Sequence, residues 1–164
     1  MDKHRFLVFV HCCRAGIPLQ GLTHDLSKYA PVEFFVGVKY YEGTRSPNVG
    51  ERKEHGYSKA WLHHKGRNKH HFEYWFDNST KRFAIEPVPM PVKYVIEMFC
   101  DRVAASKVYY GKNYTDGTAL SYFERMDYSL IMHPETEALT RKLLTMLAEE
   151  GEKKTFAYIR TLKK

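Results

Sequence analysis

Nine histidines stand in the 164 residues, and five of them fall in three tight groups: His24 directly before Asp25, His63 with His64, and His70 with His71. Imidazole and carboxylate together form the usual ligand set for zinc, manganese and iron, and a carboxylate can bridge two ions. A solvated face uses lysine and glutamate for its polarity rather than histidine. The chemistry on offer is therefore the binding of a transition metal. Asp101 joins the set from another part of the chain. It falls in "VIEMFCDRVAA", a strongly apolar helical stretch. A carboxylate buried there must be paired, hydrogen-bonded or metal-bound. Arg102 cannot pair with it locally, because successive residues project about 100° apart on a helix.

Spacing narrows the candidates without closing them. His4 and His11 are seven residues apart, about 20° from two full helical turns, so both could face one site from the first helix. His11 reads equally well as a satisfied core histidine. The pairs 63/70 and 64/71 share that offset, but Gly66 interrupts their helix. Adjacent histidines diverge, so one of each pair can ligate while the other packs. A pair at a helix end is the exception, since the backbone there can turn both inward. His55 and His133 stand alone and read as surface or capping residues. Taken by itself, His24-Asp25 could be no more than the capped end of a short helix.

The elements that must hold these residues read as helices. Residues 3–15 are apolar on most of a helical surface and end at Gly16 and Pro18. Residues 22–29 form a short helical turn. Pro31 opens a helix through "VEFFVGVKYY", with Glu33 in its first turn, and 43–50 is a loop. A helix over 51–65 carries His63 and His64 at its C-terminal end, and "NKHHFEYWF" resumes as a short helix. The turn residues and prolines of 76–90 suit a small β-hairpin. Pro91 opens a long helix closed by Gly111. Pro134 opens another to about Glu150, with the stripe Leu139, Leu143, Leu144 and Leu147, and an amphipathic piece covers 153–162. The expectation is a single all-α domain over 1–164, a bundle of six or seven helices with one small hairpin.

Composition bounds the class. Apolar residues make up 43% of the chain, which suits a packed core and excludes wholesale disorder. No apolar run reaches the roughly 18 residues of a membrane span. The N-terminal segment reads as a mature helix rather than a leader. Cys12, Cys13 and Cys100 supply no C-x-x-C pair and no disulfide framework, so a reduced, cytoplasmic protein is expected. The formal net charge is +7. Lys153, Lys154, Lys163 and Lys164 read as a solvated tail. Lys65, Arg67 and Lys69 alternate among four histidines and suggest an anion beside the histidine site.

"HRFLV" at 4–8, "GLTHDLSKY" at 21–29 and "EMFCDRVAA" at 97–105, in that order on a helical chain, resemble the HD-domain superfamily of metal-dependent phosphohydrolases. "HDLSK", "AWLHHKGRNKHH" and "EMFCD" together look more narrowly like a small HD-like family of bacteria and their phages. The resemblance is strongest over residues 1–110. It implies an HD-domain-like bundle in which His4, His24, Asp25 and Asp101 hold a first metal. His4 is preferred to His11 because Val8 matches the family pattern. It further implies that Asp25 bridges to a second ion completed by His64, His70 and His71, the ions being manganese, iron or zinc. The catalytic residues are then Asp25 and Lys28. Lys28, Lys65, Arg67 and Lys69 would bind a phosphorylated small molecule, a nucleotide or related phosphate, for hydrolysis by a metal-activated water. The chain would act as a monomer or homodimer away from membranes.

Two other readings share these residues. HD-fold di-iron oxygenases use the same histidine–aspartate set. A non-catalytic HD-like module that binds nucleic acid or a partner would use the basic surface instead. Nucleic acid is the less favoured partner, because such a module has no need for so many inward histidines.

Overall fold

In the computed structural model, which describes residues 2–43 and 45–162, the chain departs from straight helix where glycine or proline requires it. The first helix, α1 (Asp2–Ala15), ends at Gly16, whose φ of 75° suits a residue without a Cβ. Proline at the first turn, where no backbone N–H is needed, opens α2 (Pro18–Thr23), α3 (Pro31–Lys39) and α4 (Pro47–His55). Between α2 and α3 lie His24, Asp25 and a 3-10 turn over Leu26–Tyr29. Gly56, with φ 78°, ends α4. Ser58 then caps α5 (Lys59–Lys65), its Oγ accepting the Trp61 N–H at 2.9 Å.

A 3-10 turn over Phe72–Tyr74 leads into an antiparallel hairpin of β1 (Phe76–Asn78) and β2 (Ile85–Pro87), in which Phe76 pairs with Pro87. The rest is helical: α6 (Val92–Tyr110), α7 (Thr118–Phe123) and α8 (Pro134–Thr161). The architecture is all-α with one small hairpin, as expected, and among the described residues no helix is long and apolar enough to cross a membrane.

Two layers position the site. α1, α6, α7 and α8 pack on one another around Val8, Cys12, Ile96, Phe99, Val103, Phe123, Leu143, Leu144, Leu147 and Phe156, all buried. α3 packs instead on α4, α5 and the 26–29 turn. α2 lies close on α1: a Cβ at Gly21 would stand 2.6 Å from the Cys12 Cβ. His4 comes from α1 and Asp101 from α6. His24 and Asp25 come from the break after α2, and His64, His70 and His71 from α5 and the turn beyond it.

The eight α-helices among the described residues agree with the expected bundle of about six or seven, while some element boundaries differ. The helix expected over 51–65 is two, because Gly56 turns the chain, and α4 begins inside the expected 43–50 loop at Pro47. "NKHHFEYWF" contributes only a 3-10 turn. α7 has six residues, too few to show a period. The two expected C-terminal pieces are both present: non-helical φ 77° and ψ 171° at Gly151 divide α8 into two helices across a kink. Lys163 and Lys164 of the basic tail lie outside the described residues.

Candidate metal centre

Asp25 is the one non-glycine residue with positive φ among those described, at φ 56° and ψ 26°. Aspartate tolerates this left-handed conformation better than most residues, at some cost in strain. The kink has a geometric result. His24 ends α2 in a non-helical conformation, φ −53° and ψ 129°, and Asp25 then turns the chain so that both side chains point inward. Both are buried, at 2% and 1% exposure. The doublet is therefore a site feature at a helix end rather than a local cap, since Asp25 makes no capping hydrogen bond.

Two groups of donors meet at this residue. His4, His24, Asp25 and Asp101 form one, and Asp25, His64, His70 and His71 form the other; within each group the donor atoms lie within 4.8 Å of one another. His4 Nε2 is 3.0 Å from Asp101 Oδ1, and His24 Nε2 is 3.3 Å from Asp25 Oδ2 and 3.5 Å from Asp101 Oδ1. On the other side, Asp25 Oδ1 faces His64 Nε2 at 3.3 Å and His70 Nε2 at 3.5 Å. Each oxygen of Asp25 thus addresses a different group, which is the disposition a bridging carboxylate needs.

The far nitrogens of these rings are anchored. His24 Nδ1 donates to Glu97 Oε1 at 3.0 Å, and His70 Nδ1 lies 3.2 Å from the same oxygen. His64 Nδ1 donates to Glu33 Oε2 at 2.8 Å, while His63 Nδ1 donates to Glu33 Oε1 at 2.5 Å. Carboxylates behind metal-ligating imidazoles fix ring orientation and tautomer in this way. With Nδ1 of His24, His64 and His70 against a carboxylate, Nε2 is the ring atom turned toward the Asp25 oxygens. Nε2 of His24, His70 and His71 and Oδ1 of Asp25 are all buried without a hydrogen-bond partner. Buried polar atoms are nearly always satisfied. Ring nitrogens and carboxylate oxygens at these distances need a positive charge between them. Without a metal, protons on His24 and His64 supply it, both rings being raised against their burial by the neighbouring carboxylates, and a metal ion fits the same donor set.

The field agrees. Burial works to raise the Asp25 carboxyl, but the Lys28 ammonium and the His24 and His64 rings outweigh it and hold it well below the usual carboxylate range. Asp101 is held low likewise, against its burial, by His24 and His4. Glu97 is drawn down to about 2, the His24 and His70 rings overcoming desolvation. His64 is raised to about 9, because Asp25 and Glu33 outweigh its burial. His71 moves the other way, well below its ordinary value, through burial and then the charges of His70 and His64. The carboxylates are thus ionised, as ligands must be.

A cleft of about 620 Å³ opens onto this centre, within the range of small-molecule sites. His4, Asp25, Lys28, His64, His71 and Asp101 line its polar end. Phe34 and Val38 of α3, Tyr41 just beyond it, Trp61 of α5, and Val108 and Tyr109 of α6 supply apolar lining, and Arg45, Ser46 and Asn48 line it as well. Lys28 Nζ donates to Asp25 Oδ2 at 2.6 Å, so a cation stands at the mouth of the centre.

All seven expected ligands meet in the two groups, and Lys28 stands beside them. His11 does not: two turns further along α1, its Nδ1 donates to the Cys100 carbonyl at 3.4 Å. His63 serves Glu33 instead, and His133 caps α8 by accepting the Glu135 N–H at 3.3 Å. The role expected for Lys65, Arg67 and Lys69 needs correction, since none of them lines the cleft. Through this turn His64, Asn68 and His70 are buried, and the residues between them are turned outward. Sequence reasoning missed Glu97, Glu33 and Arg45. Glu97 leaves a signal, a second carboxylate one helical turn before Asp101 in the same apolar stretch. Glu33 and Arg45 leave none.

A family model described as "Family of unknown function (DUF5662)" matches residues 1–146, a span that includes every residue of both donor groups. No curated protein and no solved structure matches the chain.

Proposed function

We propose, for a chain that belongs to the DUF5662 family of unknown function, that it is a metal-dependent phosphohydrolase of the HD-domain type, acting on a nucleotide or related phosphate ester. One observation carries the reading: Asp25 presents its two oxygens to two donor groups in which Nε2 of His24, His70 and His71 is buried without a hydrogen-bond partner. His4, His24, Asp25 and Asp101 would hold one ion, and Asp25, His64, His70 and His71 a second. Bound ions supply Lewis acidity toward a phosphoryl oxygen and lower the pKa of water. Manganese, iron and zinc all suit such ligands.

The chain's own residues supply the rest. Glu97 and Glu33 keep the imidazoles oriented before substrate arrives. Lys28 places an ammonium where the negative charge of a phosphoryl group accumulates. Phe34, Tyr41, Trp61 and Tyr109 give the organic part of the substrate an apolar wall and exclude water around the polar end. Arg45 also lines the cleft with its guanidinium held by Glu42, and Ser46 and Asn48 beside it offer polar groups to the substrate.

The test is phosphate release from a panel of nucleoside phosphates and from bis(p-nitrophenyl) phosphate, with manganese-loaded protein. Hydrolysis that is abolished by chelator and by Asp25→Asn supports the proposal. No hydrolysis by fully loaded protein, or turnover that requires oxygen, would overturn it, the latter in favour of an oxygenase on the same ligand set.

A further inference from the structure

The cations that the cleft does not use are concentrated on one part of the molecule. Residues 52–69 hold Arg52, Lys53, Lys59, Lys65, Arg67 and Lys69 against the single carboxylate of Glu54, which leaves this short stretch with +5 of the chain's +7. Lys65 is half-buried and the other five are exposed. Glu54 is engaged elsewhere, with Lys39 and Tyr40. Arg14, Lys28, Lys39, Arg45, Lys107 and Arg141 are each paired with a carboxylate. Among the described residues none of the six cations on this stretch makes such a pair within 4.0 Å.

Aromatic rings are interleaved with these charges. The Arg52 guanidinium lies over the Trp61 ring, 5.7 Å from its centroid, and Lys69 Nζ is 6.0 Å from the centroid of Tyr74. Trp61 in turn packs against His64 and His71, with centroids 5.7 and 4.9 Å apart. The basic face therefore adjoins the metal centre through one tryptophan. Tyr57, between α4 and α5, and Tyr74, beside Lys69, are 49% and 38% exposed, which leaves ring surface free next to these cations.

We infer that the exposed face of α4, α5 and the turn after α5 binds single-stranded nucleic acid. The partner must be a polyanion, because six unpaired cations exceed what one phosphate could neutralise. Rings set between cations are the arrangement on which unpaired bases stack while the backbone follows the charges. Bases in a duplex offer no face for stacking, so a single strand fits better. An anionic membrane would also attract the charge, but among large aliphatic side chains α4 and α5 expose only Leu62 here. The inference stands on residues other than the proposed metal ligands.

The experiment is fluorescence anisotropy of a labelled oligo(dT) with chelator-treated full-length protein over a range of salt concentrations. Engagement of all six cations gives a log–log salt slope near −4, at about 0.7 per phosphate contacted. Arg52→Ala, Lys53→Ala and Lys59→Ala together should flatten that slope by about 2 and weaken binding at least about 10-fold. The control removes the same charge elsewhere, at the exposed Lys81, Lys112 and Lys153, and should leave the slope unchanged. Equal loss in both triple variants would show that net charge alone is responsible and overturn the inference. So would binding of phosphatidylserine vesicles without oligonucleotide binding. Hydrolysis of small phosphate esters is followed in parallel: its loss with oligonucleotide binding intact contradicts the phosphohydrolase proposal alone, and the reverse contradicts only this inference.

Discussion

Glu97 accepts the Nδ1–H of His24 at 3.0 Å, on the side of the ring away from Asp25. It accepts nothing from Asp25 or Asp101, and its other oxygen is held by the Gln20 amide at 2.9 Å. Its position is that of a residue that orients ligands. Glu97→Ala should lower metal affinity by about 10- to 100-fold, read by competition with a chromophoric chelator, while Glu97→Gln, which keeps an acceptor oxygen, should lose less. Unchanged affinity in Glu97→Ala would remove Glu97 from the site.

Lys28 is the cation nearest the centre, bonded to Asp25 and lining the cleft. Lys28→Met should keep its bound metal, because an ammonium cannot ligate. Loss of one charged donor to a developing phosphoryl charge typically costs about 100-fold or more in rate. The expected result is a fall of that size in kcat for a phosphate ester at unchanged metal content. A rise in KM alone would assign Lys28 to ground-state binding only.

The close contact at Gly21 sets where His24 begins. A Cβ there would stand 2.6 Å from the Cys12 Cβ and 3.1 Å from the Phe9 Cα, and the second of these is backbone that cannot swing aside. Gly21→Ala should force α2 away from α1 and destabilise the protein by about 1–3 kcal/mol. Because His24 follows α2 directly, metal affinity should fall with it. A variant with wild-type melting temperature and affinity would contradict the packing described here.

His11 gives a pH dependence outside the metal centre. Burial first, and then the Lys107 ammonium, push its imidazole down to about 4, against the Cys100 carbonyl and Glu152, with Arg14 adding to the depression. Lys107 Nζ donates to His11 Nε2 at 3.3 Å, a bond that requires the neutral ring. The folded pKa lies below the unfolded value of 6.5, so the unfolded chain takes up the proton first as pH falls. Stability from this residue is complete above about pH 6.5 and is lost toward pH 4, by on the order of 3 kcal/mol. Urea unfolding of wild type and His11→Gln across this range should show the gap between them narrowing by that order. A gap independent of pH would contradict a neutral buried His11.

The legible and illegible parts of the site differ for physical reasons. Pro31 and Pro134 announce α3 and α8 because a first-turn proline costs the helix no hydrogen bond. Asp101 is legible because a carboxylate in an apolar helix has few alternatives to a partner. The left-handed backbone of Asp25 is not, because no neighbouring residue demands it; it follows from where α2 and the 26–29 turn are packed. Glu33 resembles any first-turn acid until α3 is laid against α5. Lys65, Arg67 and Lys69 mislead, because neighbours in sequence point to opposite sides of a turn, three inward for the metal centre and three outward.

The metal content of protein purified without chelator, set beside that of Asp25→Ala, tests the central claim most directly. Two transition-metal ions per chain in the wild type and loss of both in the variant is the expected result, since each oxygen of Asp25 serves one donor group. No bound metal in the wild type, with no thermal shift on adding manganese, iron or zinc, would contradict it.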